Sequence, residues 1–156
     1  MKKAFLFAGA LLLISSSVMA MRVPAVWTAK HATVDYIGHN SYYSCDYMER
    51  VVKQDLQKLG ARQVTTTCTG GVPYSPFVEV WARFWSATSA TSATNGGTVE
   101  PADFTYTEFQ SWNDSCDANR EVIRQLLPYF EAQGVSDKSS CWDSQGTLKY
   151  SASVLK

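Results

Sequence analysis

Six side chains in this sequence are suited to thiol, metal or nucleophilic chemistry: Cys45, Cys68, Cys116 and Cys141, with His31 and His39. A metal site needs convergent ligands. The two histidines stand eight positions apart, about 12 Å along a helix, which does not bring them together, and no Cys-x-x-Cys, His-Glu-x-x-His or Met–His cluster is present. The Gly-Met-x-Cys-x-x-Cys run of small copper chaperones is also missing, and no metal or other cofactor is called for. Nucleophilic catalysis has little more support. There is no Gly-x-Ser-x-Gly elbow, and Ser44, which can be drawn as a dyad with His39, has a simpler use as a helix cap. Gly70-Gly71 is followed by Val72-Pro73, a turn and not a phosphate cradle. Glu79 and Glu108 are carboxylates of the type used in acid–base work, but nothing in the sequence pairs them. The sequence therefore reads as that of a non-catalytic binding or structural protein. The alternatives are an envelope thiol-redox or metal-handling factor and a small hydrolase with an unrecognised site.

The cysteines carry more information than their number. Ser44-Cys45-Asp46 recurs as Ser115-Cys116-Asp117, and each triplet opens a stretch with helical apolar spacing. The first presents Cys45, Met48, Val52, Leu56 and Leu59 and reaches Gly60; the second presents Cys116, Val122, Ile123, Leu126, Leu127 and Phe130 and reaches Gly134. Serine suits an N-cap, aspartate suits the positive end of the helix dipole, and glycine can close the far end. Pro128 predicts a break near Leu127, because an interior proline loses a backbone donor and clashes with the preceding turn. Each triplet is followed by a second cysteine about two dozen residues on. An internal duplication would then pair Cys45 with Cys68 and Cys116 with Cys141.

The elements around the helices repeat in the same order. Strands are expected at Thr33 to Ile37 and Asp103 to Phe109, with Tyr36 and Tyr106 in similar places. Others are expected at Arg62 to Thr69 and Val135 to Cys141, then at Phe77 to Trp85 and Thr147 to Leu155. The predicted fold is α+β: two strand–helix–strand–strand repeats forming one antiparallel or mixed sheet with two helices on one face. It is related to the ferredoxin-like arrangement and stapled by disulfides. The halves, about 30–86 and 102–156, are joined by the 86–101 Ser/Ala/Thr/Gly linker.

Met1-Lys2-Lys3, the apolar run from Ala4 to Ile14 and the Val18-Met19-Ala20 site have the form of a signal peptide cleaved after residue 20, of bacterial type. That leaves 21–156 as one domain, expected to be periplasmic or secreted, where disulfides persist. Later stretches contain no spanning run. Loss of Lys2 and Lys3 takes the 14 basic residues to 12 against 14 acidic ones, and no Lys/Arg cluster interleaves with aromatics, which excludes a nucleic-acid partner.

In the Phe77 to Trp85 strand, Val78, Val80, Ala82 and Phe84 share one face, and Phe77, Glu79, Trp81, Arg83 and Trp85 share the other. The first set suits a core. The second mixes charge with three large aromatics and reads as a binding surface for a protein or glycan partner, or for self-association. The competing expectation is that the linker or the segment Met21 to Ala29 covers it.

Overall fold

The computed structural model describes residues 22–37, 42–93, 97–112, 116–141 and 146–156. The segment expected to be a signal peptide, His39, Ser115, and Thr94 to Gly96 of the expected linker lie outside them. The elements run β1 (Val23–Ile37), α1 (Cys45–Lys58), β2 (Arg62–Gly70), β3 (Phe77–Ser89), β4 (Val99–Ala102), β5 (Phe104–Trp112), α2 (Cys116–Leu126), β6 (Ala132–Asp137) and β7 (Thr147–Leu155).

The fold is α+β, with two helices and two antiparallel sheets. The single sheet expected from the sequence is instead a four-stranded sheet ordered β2-β3-β1-β4 and a three-stranded one ordered β5-β7-β6. β1 pairs with β3 over thirteen positions, from Ala25↔Ser89 to Ile37↔Phe77. β5 pairs with β7 over nine, from Phe104↔Leu155 to Trp112↔Thr147.

Each helix follows from its sequence. Ser44 caps α1, its Oγ accepting from the Tyr47 N–H at 3.3 Å. At the other end the Gly60 N–H donates to Gln57 O at 3.0 Å and the Ala61 N–H to Leu56 O at 2.9 Å. This double closure needs a left-handed residue, and Gly60 supplies it at φ +93°. α2 stops at Leu126, and Pro128 sits in one turn of 3-10 helix, Leu127–Tyr129, where the sequence predicts a break. The early stop overturns the role expected for Gly134. That residue lies in β6 at φ +62°, beside the register shift between Gln133 and Ser136, and closes no helix.

Other boundaries also move. β1 begins ten residues before the expected Thr33, and β3 runs on through Ser86 to Ser89, so part of the expected linker is strand. Val99–Ala102 adds β4 beside the start of β1. β6 spans Ala132–Asp137, which leaves Cys141 beyond the strand, next to the isolated Ser140↔Thr147 bridge. Tyr36 is buried while Tyr106 is exposed, so the two are not equivalent. Tyr36 precedes Cys45 by nine residues and Tyr106 precedes Cys116 by ten, and a one-residue offset in a strand exchanges faces. Thr107, nine before Cys116, is buried.

The main core cluster is fed by both sheets, and a smaller one is formed by Ala25, Ala87, Ala102 and Leu155. Val34, Tyr36, Val78, Val80 and Phe84 from the larger sheet meet Met48, Val52 and Leu56 of α1, and Val122, Ile123 and Leu126 of α2 meet Phe109, Leu148, Tyr150 and Val154 of the smaller. Phe84 stacks on Phe130 with ring centroids 5.5 Å apart. Two disulfides hold the helix N-termini: Cys45–Cys68 and Cys116–Cys141, with Cα–Cα distances of 5.7 and 5.5 Å. Among the described residues no helix is long and apolar enough to cross a membrane.

Candidate binding face on strand β3

β3 is flanked by β1 and β2, so every residue from Phe77 to Trp85 is held in a ladder on at least one side. Its alternation is resolved as two distinct faces. Val78, Val80, Ala82 and Phe84 are buried, whereas Phe77, Trp81 and Trp85 remain 38%, 41% and 41% exposed. Arg83 is exposed with them and Glu79 is half-buried.

The register supplies the neighbours that sequence reading missed. Trp85 lies between Ala29 and Arg62, Arg83 between His31 and Thr65, Trp81 between Thr33 and Thr67, and Glu79 between Asp35 and Thr69; Phe77 faces Ile37. Short threonines on both sides of Trp81 leave a depression beside its ring. His31, Thr33, Thr65, Thr67, Trp81 and Arg83 line a groove of about 530 Å³ there. The signal for it was the outward alternation of Thr65, Thr67 and Thr69, which becomes informative only once β2 is known to lie beside β3.

At the Trp85 end the face is braced. The Arg62 guanidinium lies 3.5 Å from the Trp27 ring centroid and 3.7 Å from the Glu100 carboxylate, which accepts from Trp27 Nε1 at 3.0 Å. Arg83 has no such partner: among the described residues no carboxylate forms an ion pair with it. The segments expected to cover this face are in large part strands of the same sheet. Residues 23–29 belong to β1 itself, and 86–89 continue β3.

The remaining chemical candidates are dispersed. Glu79 is on the larger sheet and Glu108 on the smaller, paired with Ser151, so the two carboxylates are not brought together. Ser44 is the α1 cap, and His31 faces Arg83. No three His, Cys, Asp or Glu side chains among the described residues converge as a metal site. All four cysteines are in disulfides, and Cys116 is buried. Gly146 allows the chain to pass this bond, since a Cβ there would sit 2.9 Å from Cys116 Sγ.

Among the titratable groups whose surroundings shift them, Tyr36 and Asp55 move furthest, and both lie on the core side. Tyr36 is pushed above the usual phenol range by burial and by Asp117, whose Oδ2 accepts from its hydroxyl at 3.2 Å. Asp55 is raised to about 7 by burial, with Lys58 opposing the shift. Its Oδ2 has no hydrogen-bond partner.

No protein-family model, curated protein or solved structure matches the chain.

Proposed function

We propose that this is an exported, disulfide-stapled, non-catalytic binding protein, and that it captures a partner through the outward face of β3. The observation that carries the reading is the placement of Phe77, Trp81 and Trp85, three large aromatics each more than a third exposed, on one face of a strand paired on at least one side along its whole length. Exposed aromatics grouped in this way are uncommon on a surface with no partner, and aromatic side chains are enriched where proteins dock. A rigid sheet supports them, so little ordering entropy is lost on binding.

Export is supported by the N-terminal pattern and by the two disulfides. Duplication of a half-length unit is supported by topology. β1-α1-β2-β3 and β5-α2-β6-β7 show the same strand order, β2-β3-β1 and β6-β7-β5. Each has a register shift at the start of its third element, between Arg62 and Thr65 and between Gln133 and Ser136. The residues at positive φ there, Gln63 and Gly134, each stand eighteen places after the first cysteine of their half.

The test is substitution of Trp81 and Trp85 by threonine, which suits an exposed strand position. The double variant should fold and lose partner capture. A second reading, reversible thiol chemistry, rests on Cys45 and Cys116 being the first residues of α1 and α2, where a released thiolate would be stabilised. Bonds that resist mild reductant in the folded protein would remove it.

A further inference from the structure

The outward face is ordered as well as aromatic. Along the β1–β3 ladder its rows run Trp85 with Ala29, Arg83 with His31, Trp81 with Thr33, Glu79 with Asp35, and Phe77 with Ile37. On these two strands apolar pairs stand at both ends, with Arg62 of β2 flanking Trp85; the row carrying the Arg83 cation lies one step to one side of Trp81, and an anionic row lies one step to the other. Glu79 and Asp35 are directly opposite each other, a like-charge cross-strand arrangement that is unfavourable in an isolated sheet. Arg83 likewise lacks an intramolecular carboxylate among the described residues. The two unmet charges are of opposite sign and equidistant from Trp81.

We propose that the partner of this face is a second copy of the chain, the two sheets packing face to face about a two-fold axis that runs across the strands at the Trp81 row. The proposal deepens the binding reading above and rests on it. Such a rotation lays β3 over β3 with its direction reversed. Arg83 of each copy then meets Glu79 of the other, His31 meets Asp35, and Trp85 with Ala29 meets Phe77 with Ile37. Trp81 meets Trp81 at the axis. Every row finds a complementary row, which is the requirement an isologous interface imposes. Twisted sheets pack in this manner at about 10 Å separation with their strands inclined by roughly 30°.

The size of the face sets the strength. From row 77 to row 85 it is about 26 Å long, and three strands make it about 10 to 14 Å wide. That is a small interface beside the roughly 800 Å² per partner of a standard one, so association should be reversible and in the micromolar range.

The test is sedimentation velocity of the exported, disulfide-bonded protein from about 1 to 200 μM. Wild type should pass from monomer to dimer across this range. Arg83→Glu makes both charged rows anionic and should weaken association at least tenfold. Glu79→Arg combined with Asp35→Asn makes the face cationic and should do the same. An equimolar mixture of these two variants should restore the dimer. A wild type that stays monomeric, or variants that dimerise as it does, would overturn the proposal. In either case, loss of capture of other envelope components by the Trp81→Thr/Trp85→Thr protein would show that the binding reading stands and only the identity of the partner was wrong.

Discussion

Gln125 closes the open edge of β1 at Asp35. The Asp35 N–H donates to Gln125 Oε1 at 2.9 Å, and Gln125 Nε2 donates to Asp35 O at 2.7 Å. β4 pairs with β1 only from Val23 to Val26, which leaves the rest of that edge without a strand. One side-chain amide on α2 thus does at Asp35 what a neighbouring strand would do, and it ties the second helix to the first sheet.

Gln125→Ala should therefore remove both bonds to Asp35, together with the one Gln125 Nε2 donates to Glu121 Oε1, and cost about 1–3 kcal/mol of unfolding free energy, the two bonds to Asp35 being worth roughly 0.5–1.5 each. Urea denaturation measures the loss. Amide exchange at Asp35 should accelerate by more than exchange at Val34, whose position is set by core packing.

Burial makes Asp55 a source of pH dependence. Its carboxyl is raised from 3.8 to about 7. In that window the folded protein retains a proton that the unfolded chain has released, so stability falls as pH rises from about 4 to about 7. Below about 4 both states are protonated and the penalty vanishes; above about 7 it is fully present. Asp55→Asn should gain on the order of 1–3 kcal/mol at pH 8 and little at pH 4, flattening the profile. Thermal or urea unfolding at several pH values reads this directly.

The disulfides divide the stability differently. Cys45–Cys68 closes a separation of 23 residues and Cys116–Cys141 one of 25, so simple chain entropy assigns each about 3 kcal/mol. The Cys45→Ser/Cys68→Ser double variant should lose about that amount in denaturant titration. The Cys116→Ser/Cys141→Ser variant should lose more, because Cys116 is buried in the common core and serine would place a hydroxyl there.

Local signals were easy to read in this sequence. Ser44 and Gly60 bracket α1, Pro128 ends α2, and the Phe77 to Trp85 alternation separates a core face from an outward one. Each depends on residues close in the chain. What could not be read depends on distant pairing. Nothing near Val99 says that it will pair with Val26, and nothing near Thr65 says that it will lie beside Arg83. The division into two sheets is of this kind. Asp55 is different: it stands three residues after Val52 and four before Leu59, on the apolar stripe of α1, so its burial was open to reading from the spacing. The candidate face was half legible: the β3 residues came from alternation, whereas His31, Thr33, Thr65 and Thr67 needed the register.

The central claim is that the outward face of β3 is used for binding. It is read by capture from a cell-envelope extract supplemented with the untagged protein, using immobilised wild type and the Trp81→Thr/Trp85→Thr variant, each first shown to unfold cooperatively, so that either a second copy or another component can be retained. Wild type should retain components which the variant, folded and weakened by no more than about 3 kcal/mol, does not. Equal retention by the two proteins, or a variant that cannot fold because both rings are structural, would contradict it.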